Sequence, residues 1–275
     1  MSNLRKNKWL NLFLTITMFS FFLTSCDTST ENDDDPPEIP PESTLIMDYS
    51  DFSGPAQLSK SSNSSETLTR DNWNWAALNV AVWNTVLKVT LIIPVAAFRH
   101  ALNQVPEQQE NGSWNWEYDF MVFNVTHHAL LNGEIVGDEV VWKMYITKDT
   151  YYTDYLWYSG TSKINGSEGT WLLNLNPSDP VPFLDILWHR NVADGTADIK
   201  YTNVIPGGQE NGGFIFYGIT NSMEYDRFYD IYNKGADNHT DIEWNYTMKH
   251  GQVKDPNHFQ DSTWHQWDTN LDDIE

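Results

Sequence analysis

From Trp114 onward the apolar residues recur at every second position, a period that confines the chain to β-strands. Trp114, Trp116, Tyr118, Phe120 and Val122 share one parity, with Asn115, Glu117 and Asp119 on the other. The pattern returns at Val140, Trp142, Met144 and Ile146, at Trp171, Leu173 and Leu175, at Ala197, Ile199 and Tyr201, and at Ile242, Trp244, Tyr246 and Met248. Between the runs lie Gly137-Asp138, Asn165-Gly166, Asp194-Gly195, Gly207-Gly208, Asn211-Gly212 and Lys234-Gly235, pairs suited to the positive φ of tight hairpins. The spacing predicts about ten strands in simple succession. No helical crossover interrupts them, so a parallel sheet is excluded. A meander of this length has to curl or close to hide its apolar face.

One long helical stretch precedes the meander. Between Trp73 and Gln104, Trp75, Leu78, Val82, Val86, Val89 and Ile93 follow one row, and Val80, Trp83, Leu87, Leu91, Phe98 and Leu102 follow another. A helix apolar nearly all round is expected to be buried. Its polar edge is narrow: Asn84 and, one turn later, Lys88, the only charge between Asp71 and Arg99. Pro94 is expected to kink or divide the helix, and the asparagines with Lys88 make a membrane span costly.

The expected fold is therefore mainly β: a curved antiparallel meander, an open or closed barrel, wrapped round one buried N-terminal helix within a domain of residues 73–275. In outline this resembles the half-barrel of lipoprotein carriers and the wider lipocalin-like group. The likeness is one of shape and brings no function with it.

The first residues carry an address. Arg5, Lys6 and Lys8 precede an apolar run from Trp9 to Leu23, too short for a comfortable membrane span and ordered as a secretory signal over residues 1–25. Leu23-Thr24-Ser25-Cys26 resembles the lipobox of bacterial lipoproteins. That resemblance implies cleavage between Ser25 and Cys26, a diacylglyceryl group on Cys26, and attachment to the outer membrane of the cell envelope through that lipid. Cys26 is the only cysteine, which leaves no disulfide framework and no thiolate metal cluster. Residues 26–44, rich in acids and proline, read as a disordered tether. Acids directly after the cysteine also resemble the surface-export signals of Bacteroidota lipoproteins, which implies the cell surface. Residues 45–72 read as a short extended piece, Leu45 to Phe52, and a Ser/Asn-rich linker from Ser59 to Asn72.

The chain carries 16 basic and 38 acidic residues, a net charge of −22. Such a domain repels phosphate backbones, so nucleic acid is excluded as a partner, and charge alone does not dock it on anionic headgroups. The aromatic excess, with 13 tryptophans and 13 tyrosines, fits either a filled barrel or faces that stack on sugars. Trp114, Trp116, Tyr118, Trp142, Trp171 and Trp244 are expected on the inner surface, as core or as ligand lining. Tyr152, Tyr158, Tyr225 and Tyr229 are expected to show their rings outward, where neighbours such as Asp154, Asp226 and Asp230 are suited to bonding hydroxyls.

No catalytic constellation is legible. The strand His239-Thr240-Asp241-Ile242-Glu243-Trp244 resembles the Glu-x-Asp-x-Glu strand of some retaining glycosidases, but His239 stands where the first glutamate belongs, and Asp241 and Glu243 lie on the parity opposite the apolar residues. His127 and His128 are adjacent and point to opposite faces of a strand. His258 and His265, with Asp255, Asp261 and Asp268, have no ligand spacing, so neither metal nor cofactor is implied. The expectation is a non-enzymatic, lipid-anchored binding or carrier protein for an apolar or amphipathic molecule. Surface glycan binding and a structural, protein-binding role in envelope assembly are the alternatives.

Overall fold

Fourteen antiparallel strands run in chain order, each hydrogen-bonded only to its neighbours in sequence, in a computed structural model that describes residues 35–52 and 69–274. The signal segment, Cys26, the tether up to Asp34 and most of the Ser/Asn-rich linker lie outside the described residues. The long strands are β2 (Trp114–Val122), β3 (Val125–Val136), β4 (Glu139–Lys148), β5 (Tyr152–Lys163), β6 (Glu168–Asn176), β7 (Asp179–Asn191) and β8 (Thr196–Asn203). They continue into β9 (Phe214–Ile219), β10 (Arg227–Asn233) and β11 (Asn238–Trp244). Short strands close the series at both ends: β1 (Glu107–Gln108), β12 (Gly251–Lys254), β13 (His265–Trp267) and β14 (Asp273–Ile274). These four exceed the ten or so that periodicity predicts, because strands of two to four residues hold no alternation to read. β1 and β14 do not pair, so the curved sheet is open.

A cross-strand row explains how so aromatic a sheet bends. Trp114 lies opposite Gly133, Gly133 opposite Trp142, Trp142 opposite Gly160, and Gly160 opposite Trp171. Tryptophan and glycine therefore alternate along one line of the inner face. A Cβ on Gly133 would sit 2.7 Å from the Trp142 ring, and one on Gly160 would sit 2.0 Å from the Thr170 carbonyl and 2.6 Å from Trp171. The bare glycines let the Trp142 and Trp171 indoles come close to the neighbouring strand's backbone, and such positions mark close approach and curvature.

The helical stretch is two helices, α1 (Asp71–Thr90) and α2 (Ile92–Ala101), bent by 71°. Pro94 in the first turn of α2 cannot donate to Thr90, and its ring would clash with that carbonyl in a continuous helix. The break falls at Leu91 accordingly. α1 lies along β11 to β14, while α2 lies against β2 and sends Phe98 onto Tyr158 and Trp171.

Burial all round is corrected by the structure. Val80, Leu87, Leu91 and Phe98 of one row are buried, whereas Leu78, Val82, Val86 and Val89 of the other are 54, 57, 53 and 74 % exposed. Aliphatic residues on both sides of a helix do not require two partners, and here the sheet supplies only one. No single helix among the described residues is long and apolar enough to cross a membrane.

The residues before α1 are also core. Contacts group Pro36 onward with the sheet, and the described core takes in residues well before Trp73. Pro37, Pro40, Thr44, Leu45, Met47 and Phe52 are buried. Tyr201 receives the Met47 amide at 2.7 Å and donates to the Leu45 carbonyl at 2.7 Å, so one phenol pins the strap at two points. The Trp171 indole donates to Thr44 and the Trp244 indole to Asp51, at 3.3 and 2.9 Å. The acid and proline count of this stretch hides its buried apolar anchors.

Candidate functional site

α1 crosses the inner face with a cleft on each flank. On the Asn84–Lys88 flank lies a cleft of about 730 Å³, bounded by Ile46, Met47, Tyr49 and Ser50 of the strap, by Leu87, Leu91, Ile92, Val95 and Ala96, by the β2–β3 tip, and by Tyr201. Pockets that hold small ligands run from about 300 to 1,000 Å³ with mostly apolar walls. Helix periodicity brings Asn84, Lys88 and Leu91 to this side of α1, and the bend at Leu91 swings Val95 and Arg99 of α2 along the same wall.

Its polar groups are few. Arg99 is held by Glu42, with nitrogen–oxygen distances of 2.6 and 2.8 Å. Lys88 is exposed and has no carboxylate within ion-pair distance among the described residues. The Asn84 side-chain oxygen and the Tyr49 hydroxyl are buried without a hydrogen-bond partner among the described residues. Burial, aided by the neighbouring Tyr201 and Tyr229, pushes the Tyr49 phenol well above its ordinary value, so it stays neutral. A cavity wall that pairs apolar surface with unsatisfied polar atoms and a lone ammonium is chemically matched to an amphiphile.

The rim is unusual at the β2–β3 tip. Phe123 and Asn124 both take positive φ, 50° and 60°, and the Phe123 ring is 80 % exposed. Val122 and Val125 pair directly, so Phe123 and Asn124 are the two central residues of a hairpin turn that takes positive φ at both.

On the other flank of α1 is a more polar cleft of about 540 Å³. Trp83 and Tyr232 line it with Asn79, Asn203, Asn233, Asn238 and Asn257, beside Glu210 and Asp255. Trp75, also in its wall, has one face covered by His258 at a ring separation of 3.6 Å.

The inner-surface aromatics expected from sequence are core. Trp116, Tyr118, Trp142, Trp171 and Trp244 are buried, Trp114 is half-buried, and none of the six lines the 730 Å³ cleft. Two of the four tyrosines expected to face outward do not. Tyr158 is fully buried, because a bulge at Trp157 resets the alternation and pairs Tyr158 with inward Met144 and Leu173. Tyr229 is 1 % exposed, faces inward opposite Tyr217 and Ile242, and donates to the Asp48 carbonyl. Tyr152 is half-buried against Tyr155 and Trp157, and Tyr225 is half-buried against His250. No outward aromatic platform forms from these four.

The remaining chemistry-bearing residues have partners within the chain. Asp241 pairs with Lys254 at 2.7 Å and Glu243 accepts from Gln252 at 2.7 Å, both on the outer face. Asp230, His239 and Asp241 bring ligand atoms within 4.8 Å of one another, with His239 already bonded to Asp230 at 2.7 Å. His127 is buried and His128 faces outward between Asp119 and Glu117. In the C-terminal stretch, His265 bonds Asp261 at 3.2 Å and stacks on Phe259, while Asp268 accepts the amides of Asn270 and Asp272. Comparison with protein-family models, curated proteins and solved structures found no match to this chain.

Proposed function

We propose that this chain is a lipid-anchored, non-enzymatic carrier whose 730 Å³ cleft holds an amphipathic molecule with an anionic head. The observation that carries this reading is the cleft's composition: aliphatic walls from α1, α2 and the strap, with Lys88 at its edge and unpaired among the described residues. Between Asp71 and Glu107 the chain has no acidic residue, although the protein as a whole carries −22. A carboxylate or phosphate head beside Lys88 meets an ammonium on helices that carry no acid past Asp71. The lipobox-like Cys26 supports the anchor, and the stretch from Cys26 to Pro36 reaches at most about 35 Å when fully extended, which keeps the domain beside its membrane.

Titration of residues 27–275 with a fluorescent fatty-acid probe is expected to give saturable binding. Lys88→Glu, which reverses the head-group charge, is expected to weaken it about tenfold, and Ala96→Trp, which fills the cleft, is expected to abolish it. Absence of saturable binding, or binding indifferent to both changes, contradicts the reading. A second reading, glycan binding, is favoured by the 540 Å³ cleft, where half-buried Trp83 borders several asparagine side chains. Oligosaccharide quenching of tryptophan emission that is lost in Trp83→Phe would favour it over the first.

A further inference from the structure

We infer that the open face of the half-barrel, formed by the crest of α1 and the β2–β3 tip, docks directly on a lipid bilayer. The crest is Leu78, Val82, Val86 and Val89, all more than half exposed and aligned on the side of α1 opposite its buried face. Val82 and Val86 border one cleft, and Lys88 on the adjoining side borders the other, so the crest runs between the two openings. Phe123, 80 % exposed, and Met121, 61 % exposed, sit on the rim of the 730 Å³ cleft. Aliphatic rows and one aromatic tip beside a lysine are the composition of surfaces that settle into the headgroup boundary.

One further observation selects a bilayer over a second protein. It is charge: the whole segment between Asp71 and Glu107 is free of acids and carries Lys88 and His100 beside Arg99, which Glu42 neutralises, in a chain with more than twice as many acids as bases. The one face without carboxylates of its own helices is the face that is greasy, which suits an anionic or zwitterionic headgroup layer. Phe123 is placed there by the two-residue hairpin between paired Val122 and Val125, which takes positive φ at both central positions and carries the ring outside the core.

The docking face is separate from occupancy of the cleft. It also does not need the anchor, although the Cys26 reading keeps the domain within reach of a bilayer. The test uses residues 27–275, which contain the whole compact unit Pro36–Glu275 and no cysteine. Single-cysteine variants Val86→Cys, Phe123→Cys and Leu187→Cys are labelled with an environment-sensitive fluorophore and mixed with phosphatidylethanolamine/phosphatidylglycerol vesicles. Leu187 faces outward on β7 and serves as the control. Emission is expected to shift to the blue at 86 and 123 and to stay unchanged at 187. Co-sedimentation with the same vesicles is expected to fall at least tenfold in Val82→Asp/Val86→Asp, a pair of exposed positions whose change leaves the core untouched. No shift at any site, an equal shift at all three, or sedimentation unaffected by the double change overturns the inference. So does a concentration-dependent dimer, abolished by the double change and formed without vesicle binding, because the face is then an interface between copies of this chain. Loss of probe binding with vesicle binding intact would instead count against the carrier reading alone.

Discussion

Replacing Asp255 with alanine is expected to destabilise the fold by about 3–4 kcal/mol and to lower its melting temperature by about 10 °C. Asp255 is 2 % exposed and gathers donors from three places. The Trp75 indole reaches it from α1 at 3.0 Å, and Asn238 and Thr240 reach it from β11 at 2.8 and 2.7 Å. The amides of Asn257 and His258, at the start of the short helix α3 (Pro256–Phe259), complete the set at 3.1 Å each. Alanine leaves these donors facing a void, and each buried unsatisfied donor costs about 1–3 kcal/mol, reduced where water enters. Asp255→Asn is expected to recover little, since its amide turns two more donors toward the same donors.

The pH dependence of this effect has a definite sign. Burial pushes the Asp255 carboxyl up, but the hydrogen bonds from Thr240, Asn238, the His258 amide and Trp75 outweigh it and hold the group below its ordinary value. A carboxylate depressed in the folded state contributes stability fully above its unfolded value, near 3.8, and loses it as pH falls through the lower folded value. The gap between wild type and Asp255→Ala, measured by urea unfolding, is therefore expected to be constant from pH 7 to about 5 and to narrow below about pH 3.8. A gap that widened on acidification would contradict this assignment.

Trp142→Ala is expected to cost about 3–5 kcal/mol, the usual range for emptying a buried tryptophan site. The ring is fully buried, donates to Ser162 at 3.0 Å, and covers Gly133 on the adjacent strand. Gly133→Ala is expected to cost about 1–3 kcal/mol in the wild type, because the added methyl meets the indole and the structure has to give. In the Trp142→Ala background the closest contact is gone and only the Trp116 ring, 3.2 Å from the added methyl, has to give, so the cost is expected to fall to about half or less. A double-mutant cycle by urea unfolding measures the difference. Additive costs would mean that the tryptophan–glycine row is incidental to the packing of the sheet.

What the sequence revealed depended on repetition. The alternations at Trp114–Val122 and Val140–Ile146 are long enough to locate β2 and β4, and the turn glycines at 137, 166, 195, 207 and 212 all adopt positive φ. The hairpin after β10 departs from the pattern, with Asp237 rather than Gly235 taking positive φ. The run to Met248 also ends early, at Trp244, leaving Tyr246 and Met248 exposed in a turn. Single-residue events were invisible. The bulge at Trp157 inverts the face assigned to Tyr158, and the face of Tyr229 is set by its partners Ile242 and Tyr217 rather than by its own strand, which is aromatic at both parities.

The candidate site was legible only at its edge. Asn84 and Lys88 stand out as the polar interruption of an apolar helix, and they do line the larger cleft. The rest of its wall joins segments far apart in sequence, such as Met47 with Tyr201 and Ile92 with Met121, which no local pattern couples. Large aromatics drew attention to the inner surface, but their size is what packs them into the core and away from the cleft. The strap from Pro36 to Phe52 was hidden for the opposite reason, since its few buried anchors are diluted by acids and prolines that face water.

The central claim is that the protein travels with a lipid on Cys26 and an amphiphile in the cleft. Native mass spectrometry of the protein purified from its own host's envelope addresses both together. The expected spectrum is a chain beginning at Cys26 with the added mass of a diacylglyceryl group, accompanied by a second, non-covalent mass that leaves on collisional activation and is depleted in Lys88→Glu. A chain that carries no covalent lipid, or one that is empty in every preparation and takes up no amphiphile, would contradict the account.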